Sequence, residues 1–192
     1  EADAQWFTVA QVRRLVERFA QPHLRLRAVE RLRSRIIDPQ GWRVLCGGTM
    51  GWQIEQKTAG IDKILPTMRT DVVLDHPSTG QRIVIDTKFT SIVTCGWYRE
   101  ETLRSGYVYQ IYAYLRSQVG RGDALADFAS GLLLHPAIGQ MVDETVVIQG
   151  HPVRFATVDL TATPAGIREQ LLRFSAPTDH PRMSEVVANK PT

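Results

Sequence analysis

Residues 68–88 read MRTDVVLDHPSTGQRIVIDTK. Two apolar runs rich in β-branched residues, Val72-Val73-Leu74 and Ile83-Val84-Ile85, flank the turn-forming residues 75–80. This pattern predicts a β-hairpin. With a register in which facing residue numbers sum to about 157, Asp71 lies opposite Asp86.

Asp86 and Lys88 fall on one face of the second strand, because side chains alternate along a strand. Two carboxylates and an ammonium group therefore converge on one patch. Mg²⁺ takes oxygen ligands and keeps several waters, so two carboxylates and a substrate phosphate can hold it. The pattern predicts a metal-dependent nuclease site, with Lys88 orienting water and offsetting negative charge. The alternative is that each aspartate is a turn or capping residue.

Residues 106–118, GYVYQIYAYLRSQ, have apolar positions at helical spacing, and Ser105 can cap the predicted helix. Gln110 and Tyr114 are four residues apart and so share a face. An amide and a phenol there could bind a phosphate or the attacking water beside the metal. The other tyrosines of this helix are expected to pack it on the sheet, and they are Tyr107, Tyr109 and Tyr112.

The order of these motifs resembles that of the PD-(D/E)xK nuclease superfamily, in the branch with an added Gln-x-x-x-Tyr helix. More closely, residues 65–71 (LPTMRTD), 85–89 (IDTKF) and 109–114 (YQIYAY) resemble the nuclease domain of the McrC family. That family supplies the cleavage subunit of a bacterial restriction system that cuts DNA containing modified cytosine. The resemblance runs from Trp52 to Phe174.

The resemblance implies that Asp71 and Asp86 bind Mg²⁺, for which Mn²⁺ can substitute. It implies that Lys88 is catalytic and that Gln110 and Tyr114 support the site. Thr70 stands where the superfamily name has proline, at a position that supplies no ligand. The implied fold is the restriction-endonuclease-like α/β fold, a central mixed β-sheet flanked by helices.

A glutamate of the first helix often completes the metal site in this superfamily. Glu17, in Val16-Glu17-Arg18-Phe19, resembles that motif, although a long stretch separates it from Trp52, and Glu30 is the rival. Alternatively, both glutamates are surface carboxylates paired with arginines three or four positions away.

The arginines are concentrated near the amino end. The 192 residues carry a net charge of +3, and residues 1–40 hold eight arginines against five acidic residues. Because arginine forks well onto phosphates, Arg31, Arg35 and Arg69 are candidate DNA-binding residues. The alternative for the amino-terminal arginines is a solvated helix surface.

Other features limit the function and the location. No apolar stretch approaches a membrane span and no secretory signal opens the sequence. Cys46 and Cys95 lack metal-ligand spacing, so we expect free thiols in a reducing cytoplasm. His135 and His151 each precede a proline in a turn-like context without ligand partners, which argues against zinc. No phosphate-binding loop is present, so any nucleotide-hydrolysing motor is a separate subunit.

The chain divides into a helical amino-terminal segment (1–40), a nuclease core (41–175) and a flexible tail (176–192). Residues 6–37 are expected to form one or two helices broken near Pro22. The other predicted strands are 42–46 paired with 52–56, then 131–136, 145–149 and 155–160. Thr163-Pro164 predicts the N-cap and first residue of a helix that ends near Phe174.

The leading hypothesis is a Mg²⁺-dependent DNA endonuclease subunit. By the resemblance, it acts with a McrB-type GTPase ring that recognises modified cytosine, and nuclease domains come together to cut both strands. The family's amino-terminal region engages that ring, and we expect this chain to be too short to hold that region intact. The isolated chain should therefore cut weakly or not at all. The alternatives are a noncatalytic assembly subunit that stimulates the partner GTPase, or a free-standing DNA repair nuclease.

Overall fold

The computed structural model describes residues 7–8 and 36–37 by their backbone alone, and residues 41–94 and 101–175 in full. Its strands are β1 (Phe7–Thr8), β2 (Ile36–Ile37), β3 (Arg43–Cys46), β4 (Thr49–Met50), β5 (Met68–Arg69), β6 (Val72–His76), β7 (Gln81–Thr87), β8 (Val93–Thr94), β9 (Thr102–Leu103), β10 (Ser130–Pro136), β11 (Asp143–Ile148) and β12 (His151–Val158). Its helices are α1 (Ser105–Arg116), α2 (Ala124–Asp127) and α3 (Pro164–Ser175), with a single 3₁₀ turn at Ile61–Lys63.

One mixed sheet organises the described part of the chain. Its eight strands follow the order β1-β2-β3-β6-β7-β10-β12-β11. The central strands β7, β10 and β12 are parallel, and β3, β6 and β11 join them in antiparallel pairs. Strands β4–β5 and β8–β9 form two small separate sheets. The architecture is thus α/β, with a mixed sheet and flanking helices, as the sequence predicts.

The β6–β7 hairpin has the register that the sequence predicts. Val72 faces Ile85 and His76 faces Gln81, so facing numbers sum to 157 throughout the pair. Gly80 ends the turn at φ +69°, a left-handed conformation that glycine adopts without strain, and its N–H donates to the His76 carbonyl at 3.0 Å. Asp71 and Asp86 consequently lie at the open end of the hairpin.

Helix α1 covers one face of the sheet. Ile111 and Leu115 of α1 are almost wholly buried and pack with Val73, Val84 and Leu133 of the sheet. Helix α3 borders the opposite face, because alternate residues of the same strands line an apolar groove with it. Those groove residues include Leu74, Ile85 and Leu132 of the sheet and Ile167 and Leu171 of α3.

The region after the first predicted strand differs from the expectation. Residues 43–46 do form a strand, but β3 pairs with β6, and residues 52–56 form no strand. Gly47, at φ +65°, redirects the chain so that β4 pairs with β5 instead. The exposed segment that follows is held by Trp52, whose indole N–H donates to the Pro66 carbonyl at 2.7 Å.

Two predicted helix boundaries are wrong. Residues 7–8 and 36–37, at the ends of the predicted helical stretch, are strands that pair in parallel. Ser105 is the first residue of α1 rather than its cap; Arg104 holds the N-cap position without a capping side chain. Residues 9–35, including Pro22, and the predicted tail, 176–192, lie outside the described residues.

The carboxyl-terminal elements follow the prediction closely. β10 and β11 lie within two residues of the predicted strands 131–136 and 145–149, whereas β12 begins four residues before the predicted 155–160. Helix α3 begins at Pro164, with the Gly166 N–H donating to Thr163 Oγ1 at 3.2 Å. The turn-like context assigned to the two histidines is wrong, since His135 lies within β10 and His151 begins β12. No helix in the described ranges is long and apolar enough to cross a membrane.

Candidate active site

The predicted site residues meet where β7 and β10 end beside α1. The Asp86 side chain lies on the α1 side of the sheet and is only 2% exposed. Lys88 follows the last residue of β7, and its backbone N–H donates to the Leu134 carbonyl of β10 at 2.9 Å. This bond extends the parallel pairing past the strand end and fixes the position from which the lysine side chain projects.

Asp86 and Lys88 form an ion pair through Asp86 Oδ2 and Lys88 Nζ. Burial raises the pKa of the Asp86 carboxyl above its ordinary value, Lys88 opposes this, and the nearby charge of Asp71 adds to the rise. Taking a carboxylate out of water is unfavourable unless cations or hydrogen bonds compensate it. The site therefore favours a positive charge beside Asp86.

A series of three hydrogen bonds fixes the position of the Lys88 ammonium group. Lys88 Nζ donates to Gln110 Oε1 at 2.9 Å, Gln110 Nε2 donates to the Tyr114 hydroxyl at 2.5 Å, and that hydroxyl donates to the Arg69 carbonyl at 2.6 Å. Tyr114 is 5% exposed, so its hydroxyl holds Gln110 in place and is not open to a substrate. The series connects β5, α1 and the end of β7.

Asp71 lies across the hairpin end and is exposed. Its Oδ2 accepts the Thr87 backbone N–H at 2.7 Å and the Thr87 hydroxyl at 2.6 Å. Asp71 therefore makes the contacts of a capping residue, which is the alternative role given to the two aspartates in the sequence. The negative charge of Asp71 adds to the rise of the Asp86 pKa, whereas the hydrogen bonds of Asp71 are made to Thr87.

His135 lies near Asp86 and Lys88, although the sequence pattern gives it no role in the site. It is 3% exposed, and its Nδ1 lies 2.8 Å from the Thr90 carbonyl oxygen. Because a carbonyl can only accept, Nδ1 carries a proton. Burial lowers the pKa of His135, with Lys88 and Arg104 acting in the same direction, so the neutral imidazole is favoured. Its position beside β7 could have been found only from the parallel pairing of β7 and β10.

The tyrosines of α1 have different roles. Tyr107 lies under Lys88, with Nζ 4.9 Å from the ring centroid, and beside His135. Tyr112 donates its hydroxyl to Gln149 Oε1 at 2.7 Å. Tyr109 is 69% exposed, so the expectation that it packs the helix on the sheet is wrong.

The donor set suits a hard cation, although the described residues supply only part of a site. No group of three or more His, Cys, Asp or Glu side chains in the described ranges could hold a metal ion. Asp71 and Asp86 provide carboxylate oxygens, and the buried Asp86 carboxyl has the raised pKa that a bound cation would oppose. Mg²⁺ is commonly held by one or two carboxylates with waters and substrate phosphate, so these two residues fit it.

Several predicted residues cannot be placed. Glu17, Glu30, Arg31, Arg35 and Cys95 lie outside the described residues.

Two other predicted residues are described. Arg69 is exposed directly before Thr70 and Asp71, and its carbonyl accepts the Tyr114 hydroxyl. Cys46 is a free, exposed thiol at the end of β3.

Comparison with known proteins gives no assignment. No protein-family model matches the chain, and no curated protein matches it.

Proposed function

We propose that this protein is a metal-dependent DNA endonuclease of the restriction-endonuclease-like fold. The observation that carries the proposal is the ion pair between the buried Asp86 carboxylate and Lys88. Gln110 and Tyr114 hold the Lys88 side chain in place through hydrogen bonds. A buried carboxylate with a raised pKa beside a fixed ammonium group is typical of functional sites. The central mixed sheet is the coarse architecture that such a fold requires.

Asp86 and Asp71 would hold Mg²⁺, or Mn²⁺ in its place. When bound, such an ion polarises the scissile phosphate and lowers the pKa of a coordinated water. A phosphodiester substrate supplies the further oxygen ligands that two carboxylates leave open. The glutamate candidates Glu17 and Glu30 remain proposals for a third carboxylate.

Lys88 is the residue we assign to the reacting phosphate. Its ammonium group contacts Asp86 Oδ2 and Gln110 Oε1, and with DNA bound it would contact a phosphate oxygen from this position. In that position it would orient the attacking water and offset the charge that develops on the phosphate. Gln110 and Tyr114 are positioning residues, because they act on the substrate through Lys88.

The resemblance to the McrC family supports a narrower proposal. The substrate would be DNA containing modified cytosine, and a McrB-type GTPase would recognise it and bring two nuclease domains together in the cytoplasm. Asp71, Asp86 and Lys88 are all present, which favours an active nuclease over a noncatalytic assembly subunit.

Plasmid cleavage tests both levels of the proposal. Supercoiled plasmid, methylated or unmethylated, is incubated with the chain and Mg²⁺, Mn²⁺ or EDTA, with and without a McrB-type GTPase and GTP. We expect metal-dependent nicking that is weak for the isolated chain and rises with the partner, GTP and methylation. No cleavage under any condition would contradict the nuclease proposal. Strong, specific double-strand cleavage by the isolated chain would contradict the need for a partner.

A further inference from the structure

Tyr107 presents the face of its ring to the Lys88 ammonium group. Lys88 Nζ lies 4.9 Å from the centroid of the Tyr107 ring. An ammonium group within about 6 Å of a tyrosine centroid is attracted by the negative potential over the ring face, and more strongly where water is excluded. The Lys88 side chain is only 16% exposed. The ring is therefore a third contact of this ammonium group, besides Asp86 and Gln110.

The three contacts of Lys88 differ in chemistry. Asp86 Oδ2 supplies a negative charge, and Gln110 Oε1 accepts a hydrogen bond at 2.9 Å. An ammonium group has three N–H donors. A ring face attracts the charge as a whole and does not need a donor at a fixed angle. The Tyr107 ring can therefore hold the ammonium group while a donor remains for the phosphate that we assign to Lys88.

The Tyr107 ring is itself held by its neighbours. Its hydroxyl lies 3.4 Å from Thr90 Oγ1, and its centroid lies 5.8 Å from that of the buried His135 ring. His135 Nδ1 donates to the Thr90 carbonyl at 2.8 Å. The Tyr107 backbone N–H donates to the Arg104 carbonyl at 3.0 Å at the start of α1. These contacts fix the position from which the ring faces Lys88.

The simpler role of Tyr107 is to pack α1 on the sheet, and Tyr107 does pack against the buried core. Packing needs apolar bulk, which leucine also supplies, whereas holding an ammonium group needs an aromatic face. Phenylalanine keeps that face and lacks only the hydroxyl. Leucine and phenylalanine at this position therefore separate the two roles.

We infer that Tyr107 is a positioning residue that holds the Lys88 ammonium group beside Asp86 and Gln110. The inference rests on the proposed function, to which it adds a residue outside the Gln110 and Tyr114 pair. Because Lys88 is assigned to the reacting phosphate, Tyr107 acts on cleavage through Lys88 and without contacting DNA.

The first test observes the Lys88 side chain by NMR, without DNA or metal. The chain has four lysines, so labelling lysine Cε with ¹³C gives a simple spectrum in which Lys88→Ala identifies the Lys88 signal. Protons over the face of an aromatic ring resonate at lower frequency. We expect the Lys88 Hε signal below those of the other lysines in the parent and in Tyr107→Phe, and among them in Tyr107→Leu. A signal that Tyr107→Leu leaves unchanged would overturn the inference.

The second test measures metal-dependent nicking. Tyr107→Leu should lower kcat about tenfold with KM unchanged, because the lost contact acts on the transition state through Lys88. Tyr107→Phe should keep most of the parental rate. The matched control is Tyr112→Leu in the same helix, since the Tyr112 hydroxyl bonds Gln149 instead, and it should match the parent. Equal rates for the two leucine variants, or a raised KM with unchanged kcat in Tyr107→Leu, would overturn the inference.

The two readouts separate this inference from the proposed nuclease. If the Lys88 signal moves only in Tyr107→Leu but no chain cleaves DNA with any metal, the nuclease proposal fails and the role of Tyr107 at Lys88 stands. If the parent cleaves DNA but its Lys88 signal lies among those of the other lysines, the inference fails and the nuclease stands. Urea unfolding checks that each variant is folded, and Tyr107→Met replaces Tyr107→Leu if the latter is not.

Discussion

Lys88 and Gln110 are joined by a hydrogen bond of 2.9 Å between Nζ and Oε1, although 22 residues separate them. The same Gln110 amide donates through Nε2 to Tyr114, so its orientation is fixed by partners on both sides. A lysine side chain has four rotatable carbon–carbon bonds and loses much entropy when held in one geometry. Here the hydrogen bond to Gln110 of α1 orders the Lys88 side chain in the folded protein, so the ammonium group is already in place beside Asp86.

Gln110→Ala should lower cleavage without loss of folding. The substitution removes the acceptor that holds Lys88, and a misplacement of about 1 Å can lower a rate by about a hundredfold. We expect kcat to fall by about tenfold to a hundredfold. The control is Gln118→Ala, which removes a glutamine that bonds the Gly51 carbonyl near the other end of the same helix. Equal rates for the two variants would show that Lys88 needs no support from Gln110.

Tyr114→Phe should reduce stability. The hydroxyl is buried and serves both the Gln110 amide and the Arg69 carbonyl, and leaving buried polar groups unsatisfied costs about 1–3 kcal/mol. The free energy of unfolding in urea measures the loss. Tyr109→Phe, in the same helix but 69% exposed, should leave stability unchanged. A Tyr114→Phe protein as stable as the parent would contradict the hydrogen-bond chain described above.

Gly131→Ala should disturb the contact between α1 and β10. A Cβ at this position would lie 2.7 Å from Ile111 Cγ1 and 3.1 Å from Leu115 Cδ1, both on buried side chains. Overpacking of this kind costs about 1–3 kcal/mol. Because α1 carries Gln110, cleavage should also fall. Gly60→Ala, where an added Cβ meets nothing within 4 Å at φ −91°, is the matched control and should be neutral.

The ion pair between Arg82 and Asp123 should make stability depend on pH. Burial tends to raise the pKa of Asp123, but the hydrogen bond and charge of Arg82 outweigh it and hold that pKa below the ordinary value of 3.8. A carboxyl with a lowered pKa stabilises the fold above its ordinary pKa and loses that contribution as pH falls through the lowered value.

Asp123→Asn isolates this effect, because asparagine can still cap α2. Asp123 is about half exposed, so solvent screening should keep the loss below about 1 kcal/mol at neutral pH. Urea unfolding should show that difference at about pH 7 and little difference at about pH 2. A gap between parent and variant that grows toward acid would contradict the assignment.

The hairpin and its register could be predicted from the sequence because the information is local. Alternating apolar residues on both sides of a turn with a glycine leave one register that buries Val73 and Val84 together. The same holds for Thr163-Pro164, where a cap and a proline mark the start of α3. Gln110 and Tyr114 share a face by helical spacing alone, and the structure joins them directly.

Features that depend on distant pairing could not be predicted. His135 reaches the site only because β10 lies parallel to β7, which nothing near residue 135 indicates. The pairing of β3 with β6 likewise depends on the turn at Gly47, since a strand signal does not name its partner. Tyr109 was expected to pack because aromatic residues usually do, yet its position on α1 points away from the sheet core.

The most direct test of the account compares two aspartates. Asp159 follows β12, and its carboxylate accepts both the N–H and the hydroxyl of Thr161, much as Asp71 does with Thr87. The measurement is the metal-dependent nicking rate of supercoiled plasmid by the parent chain, Asp86→Ala and Asp159→Ala, under the condition that gives the parent its highest rate. We predict that Asp86→Ala abolishes nicking while remaining folded and that Asp159→Ala nicks at the parental rate. Nicking by Asp86→Ala as fast as by the parent would contradict the proposed active site.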